Sequence, residues 1–193
     1  MNILHPVSIL YGDWHHKFQS LWSDQLTAIE RRFGASVVRI QRPMVDLVDV
    51  PVIHVVLEKW FELVGFLKSQ EGGHYSFLVD YTASDEAPRE ARFDLILNLL
   101  CHDNFSRIRV KTAVSELHKA PTLIPLWLGA NWAEREIWDM FGVQFEGHPD
   151  LRRIIMDERW DGHPLRKDYP LRRYQIFPTA EPIESRLLEE SGK

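Results

Sequence analysis

The 193 residues carry 45% hydrophobic and 26% charged side chains, a formal net charge of −5 and one cysteine. The negative balance argues against a general nucleic-acid binder, and a lone Cys101 excludes an internal disulfide framework and any four-cysteine zinc or iron–sulfur site built from this chain alone. No run of about 18 apolar residues exists to span a bilayer, and the N-terminus lacks a signal-peptide pattern, so a soluble chain is expected that meets a membrane only through partners.

The length fits one domain plus an appendage. Residues 1–12 read as an entry strand or loop. Asp13 is placed to cap a helix whose apolar positions Trp14, Phe18, Leu21, Trp22, Leu26, Ile29 and Phe33 follow helical spacing, with Gly34 at its end. His15 and His16 are adjacent on that helix, cannot share a metal in the i, i+4 manner, and are expected at the surface. Ser36 to Ile40 and Val52 to Val56 are rich in β-branched residues and read as short strands separated by Pro43 and Pro51. Leu57 to Lys68 returns to helical spacing, and Gly72-Gly73 breaks it. Tyr75 to Tyr81 and Arg92 to Leu100 read as strands. Past the turn at His102 to Ser106, Ile108, Val110, Thr112 and Val114 alternate with Arg107, Arg109 and Lys111, which predicts an antiparallel hairpin with one basic solvent face. Cys101, at the end of an apolar strand, reads as a buried small hydrophobe. The order predicts an α+β fold, a two-layer sandwich of helices on a mixed or largely antiparallel sheet, spanning residues 1–142.

The stretch from Asn131 onward organises the rest. Asn131 and Glu134 have the spacing of a capping box, and Gly142 stops the helix by taking a positive φ. Ala133, Ile137, Met140 and Phe141 make its apolar face. Glu134 lies at the edge of that face, where desolvation is expected, and Arg135 and Asp139 lie on the opposite side. From 143 to 175 the chain repeats GHPDLRR at Gly147 and GHPLRKD at Gly162 among prolines that forbid a continuous helix or a central strand. Its apolar residues are too scattered for a core of their own and too many for a free linker. This predicts an extended arm lying on its parent domain or on another protein, and stabilised by neighbouring chains. Residues 176–193 are polar and acidic and read as a flexible tail.

Three chemistries are available to these residues. Glu136, Asp139 and His148 could serve a metal-dependent hydrolase, yet no HExxH or comparable histidine spacing occurs. The arginines of the arm could grip RNA or anionic lipid, but Asp150, Asp157, Glu158, Asp161 and Asp168 are interleaved with them and neutralise much of the charge. His148 and His163 could be proton-active. A histidine before proline is more often held extended, with its ring hydrogen-bonded to backbone. None of these amounts to a self-contained active site.

EREIWDMFGVQFEGHPDLRRII from Glu134 to Ile155, followed by GHPLRKDYPL from Gly162 to Leu171, resembles the C-type (30 kDa) subunit family of respiratory complex I, NADH:quinone oxidoreductase. The resemblance implies a component of the hydrophilic arm of a proton-translocating enzyme, peripheral on the cytoplasmic face of the bacterial inner membrane, with no catalytic, cofactor or metal residues of its own. NADH, FMN, iron–sulfur clusters and quinone would belong to partner subunits, above all the 49 kDa (D-type) chain and the terminal-cluster (B-type) chain. Glu134, Arg135, Glu136, Asp139, His148, Pro149, Arg152, Arg153, His163, Pro164, Arg166, Lys167 and Asp168 would be structural and partner-interface positions. Related subunits occur in hydrogenase and plastoquinone-reducing complexes, and the motif is shared with them. Arg172-Arg173 departs from the small residue that the family often carries after PL.

Overall fold

The computed structural model describes residues 14–43, 45–172 and 175. Asp13, the side chains of His15 and His16, the entry residues 1–12 and the tail 176–193 lie outside the described residues.

Helix α1 (Trp14–Phe33) is followed by a single 3-10 turn (Gly34–Ser36) and strand β1 (Val37–Gln41). Strand β2 (Val52–Val55) leads into helix α2 (Leu57–Lys68), which ends where the Ser69 N–H bonds the carbonyls of Gly65 and Phe66, before Gly72-Gly73. Strands β3 (Phe77–Asp85), β4 (Phe93–Leu100) and β5 (Arg107–Val114) form a meander. A short strand β6 (Lys119–Pro121), helix α3 (Ala130–Phe141) and strand β7 (Gln144–Glu146) complete the set.

The main sheet has the order β1-β2-β5-β4-β3. It is mixed, because β2 runs parallel to β5 while the other neighbours are antiparallel. Alternation sets its faces: Phe93, Leu95, Leu97 and Leu99 of β4 and Ile108, Val110, Thr112 and Val114 of β5 are buried on one side. Arg107, Arg109 and Lys111 alternate with them on the other side, as the pattern of charge predicts. The helices cover the apolar side through Leu26, Ile29, Trp60, Leu63, Leu67 and Ile137, which gives a two-layer α+β sandwich. Cys101 is buried, in keeping with its apolar surroundings.

The parallel pair β6 and β7 is not expected from the sequence. Three-residue strands, one ending in proline, carry no period to detect. Their pairing closes the chain on both sides of α3, and buried Val143 and Phe145 join the core. The extended part of the arm therefore starts at Gly147, whose φ is +81°.

Candidate functional site

Helix α3 presents two fully buried carboxylates, and each organises a different loop. Glu134 does not cap its own helix. The helix begins two residues earlier than the capping reading places it, with Gly129 at the N-cap position and no side-chain capping bond. Its carboxylate turns inward, where Oε2 accepts from Thr122 Oγ1 at 2.6 Å and Oε1 accepts from the Leu123 N–H at 2.6 Å. Burial pushes this carboxyl up to about 7, and the two hydrogen bonds only partly oppose the shift. The sign follows: with the folded value above the ordinary 4.5, the contribution of this group to stability is complete below 4.5 and is lost as pH rises through about 7. Glu134→Gln keeps an acceptor for Leu123 and stays neutral. It is expected to stabilise the fold by about 1–2 kcal/mol above neutral pH, and to flatten the pH dependence of melting between pH 5 and 8 measured by circular dichroism.

Asp139 lies on the side of the helix where spacing puts it, but the arm covers that side and buries its carboxylate. Its Oδ2 accepts from three successive backbone N–H groups, Ile154 at 3.0 Å, Ile155 at 2.8 Å and Met156 at 2.9 Å. Its Oδ1 takes a 2.6 Å ion pair from Arg153. Burial alone would raise this carboxyl, but the three N–H donors and the guanidinium outweigh it and hold it below the usual carboxylate range. Arg153 spends its remaining donors on the carbonyls of Trp160 at 2.7 Å and Gly162 at 2.9 Å, and lies over the Trp138 ring. One arginine thus ties the end of α3 to both GHP loops.

The histidines of those loops bond backbone. His163 Nδ1 is 3.0 Å from the Asp139 carbonyl oxygen, and its ring fills the space beside Gly142, where an added Cβ would sit 2.6 Å from His163 Cδ2. Gly142 is required twice, for that approach and for its φ of +83°. His148 accepts from the Asp150 N–H at Nδ1 and lies 3.3 Å from the Asn131 carbonyl oxygen through Nε2, which makes Nε2 the protonated nitrogen. Arg135 donates to the carbonyls of Arg152 and Arg153.

A second anchor joins the motif residues Arg166, Lys167 and Asp168 to Arg92, Asp85 and Glu116, which the sequence alone does not single out. Arg92, immediately before β4, grips nearly buried Asp85 bidentately at 2.8 and 2.7 Å, and on its other side grips Asp168 of the arm at 2.9 and 2.8 Å. Glu116 joins at 2.6 Å from Arg92 and also pairs with Arg166, while the Lys167 N–H donates to Asp85 Oδ2 at 2.7 Å. Arg92, with smaller help from the Lys167 and Ala87 N–H groups, holds Asp85 well below the usual carboxylate range. Arg92 and Arg166 both stack over Phe93. Arg92 and Asp168 are 76 residues apart in the chain, so no local pattern links them.

Of the motif positions, Glu134 and Asp139 are buried and Arg153 and His163 are half-buried, all four engaged within the chain, as are Arg135, His148, Arg166, Asp168 and the Lys167 N–H. Arg135, His148, Pro164 and Arg166 are half-buried, and Glu136, Pro149, Arg152, Lys167 and Asp168 are exposed. Arg152 pairs with Asp150 and Arg159 with Asp157, so the basic character of the arm is neutralised locally. Glu136, Asp139 and His148 do not converge. Among the described residues no three histidine, cysteine, aspartate or glutamate side chains are grouped to hold a metal ion, and no helix is long and apolar enough to cross a membrane.

A family model described as the respiratory-chain NADH dehydrogenase 30 Kd subunit matches residues 53–175. The mitochondrial NADH-ubiquinone oxidoreductase 30.4 kDa subunit of Neurospora crassa is 50% identical over 109 residues, 56% of this chain and 38% of that protein. The C/D subunit of NADH-quinone oxidoreductase from Azotobacter vinelandii is 38% identical over 177 residues, 88% of this chain and 29% of that protein. The chain thus matches well under two thirds of the length of either relative. A chain from the membrane-bound sulfane sulfur reductase, an archaeal respiratory membrane complex, shares the fold with a TM-score of 0.60 at 20% identity, covering 77% of this chain and 85% of that one. The matched region takes in the sheet from β2 onward, helix α3 and the arm with both its anchors, and on that ground the chain belongs to the family of the 30 Kd subunit of respiratory-chain NADH dehydrogenase.

Proposed function

We propose that the chain is a structural component of the hydrophilic arm of a proton-translocating NADH:quinone oxidoreductase, a translocase, holding no cofactor itself and fixing the positions of neighbours that do. NADH, FMN, iron–sulfur clusters and quinone are handled by those neighbours. The partners are the 49 kDa (D-type) and terminal-cluster (B-type) chains, at the cytoplasmic face of the bacterial inner membrane, and the association with the membrane is peripheral.

The observation that carries this reading is where the motif residues go. Glu134, Asp139 and Arg153 are committed to internal hydrogen bonds that shape a loop surface. That arrangement builds a rigid docking surface. Rigidity has a use in an electron-transfer assembly, because a displacement of about 1 Å in a reacting constellation can cost about a hundredfold in rate. The joint C/D designation of the longer Azotobacter vinelandii relative supports the D-type chain as a direct neighbour.

Purification of the assembly through a tag on this chain tests the reading. The chain is expected to co-purify with NADH:quinone reductase activity, and its deletion to abolish assembly. A quinone-reducing complex that forms without it overturns the role.

A further inference from the structure

A groove of about 640 Å³ runs between the first half of β3 and the start of α3. Its walls carry large apolar side chains that the chain itself leaves in the open: Phe77 is 48% exposed, Val79 40%, Leu128 83% and Trp132 62%. Asp80 and Glu136 also line it, both exposed, and neither has an ion pair among the described residues. A contiguous apolar patch with polar residues at its rim marks an interaction site. Strand β3 is also an edge of the sheet.

Three occupants are disfavoured on chemical grounds. A continuous added strand is opposed by the register shift between Leu78 and Asp80, since a bulge interrupts the ladder that an incoming strand would extend. A second copy docked about a two-fold axis would bring the same carboxylates, Asp80 and Glu136, against each other. The residues 176–193 of this chain carry Glu181, Glu184, Glu189 and Glu190 against Arg186 and Lys193, the wrong balance for an acidic rim. Resting on the proposed structural role, we propose that this groove receives a segment of a neighbouring protein in the assembly that places an apolar or aromatic side chain between Phe77 and Trp132 and a lysine or arginine against Asp80 and Glu136.

The test uses the assembled complex, with Leu128 replaced by benzoylphenylalanine and the cross-linked peptide identified by mass spectrometry. Irradiation is expected to join position 128 to a different protein of the complex, within a few residues of a lysine or arginine. Asp80→Lys with Glu136→Lys is expected to reduce the cross-link yield by about tenfold or more, the neutral pair Asp80→Asn with Glu136→Gln to reduce it less, and the melting temperature of the isolated chain to stay unchanged. A cross-link only to a second copy or to the chain's own tail, a captured segment without a basic residue, no cross-link from a chain that is present in the complex, or a yield indifferent to charge reversal overturns this inference alone. Absence of the chain from the complex overturns the proposed function and this inference with it.

Discussion

Asp139→Ala is expected to destabilise the isolated chain by about 3–5 kcal/mol, the range for removing one partner of a buried ion pair. Alanine leaves the Arg153 guanidinium, 10% exposed, without its carboxylate and strips the acceptor from the N–H groups of Ile154, Ile155 and Met156. Each buried donor left unsatisfied costs about 1–3 kcal/mol. The costs do not add in full, because the 154–156 loop can lift away and hydrate. Asp139→Asn should fall between, since its amide keeps one oxygen as acceptor but turns an N–H₂ toward donors. The pH dependence has a definite sign. The folded carboxyl titrates below its ordinary 3.8, so its contribution is present above that value and lost as pH falls through the folded value. Urea unfolding at pH 7 and pH 3 measures both effects, and the difference between variant and parent should shrink at the lower pH.

Arg92→Ala is expected to cost about 3 kcal/mol or more by the same logic, with a different local consequence. Asp85 has a side chain only 2% exposed and would keep only its backbone donors. Most of the loss belongs to that buried pair. The Asp168 carboxylate is 62% exposed and its share is small, because solvent screens it. Asp168 instead gives direction: with Arg92 gone, the 165–168 segment is left with the Leu165 N–H to Met140 carbonyl bond, the Arg166 to Glu116 pair, and a Lys167 N–H bond to an Asp85 carboxylate that the guanidinium no longer holds in place. The arm should loosen there before the sheet melts. Limited proteolysis at Arg166 and Lys167 by trypsin, compared with thermal unfolding, separates loosening from global loss.

The elements with a period are legible in the sequence. Leu57 to Lys68 is the helix that its spacing predicts, and the alternation along Phe93 to Leu100 and Arg107 to Val114 fixes which face meets the core. Gly142 stops α3 with a left-handed residue, and both GHP histidines bond backbone, as expected. The two carboxylates of α3 are not legible. Spacing within a helix says which way Asp139 points, but not that Arg153 and the N–H groups of residues 15 to 17 positions downstream will fold back over it and enclose it. Glu134 looks like a cap because Asn131 stands three residues before it, yet the loop at Thr122 and Leu123 competes for the same carboxylate and wins by burying it. The arm lies on its parent domain, one of the two placements that its pattern predicts, although its apolar residues are too few for a core of their own. The structure supplies polar anchors from its own domain, leaving Ile155, Leu165 and Leu171 exposed.

The central claim is that two sets of buried charge clamp the arm onto its own domain and make it a fixed surface for neighbours. Amide hydrogen exchange of the isolated parent chain, compared with the Asp139→Ala and Arg92→Ala variants, tests it most directly. Slow exchange is predicted at Ile154, Ile155, Met156 and Lys167 in the parent, lost at the first three in Asp139→Ala and at Lys167 in Arg92→Ala, while β4 and β5 stay protected. Open-chain exchange at these four amides in the parent, alongside a protected sheet, would contradict it.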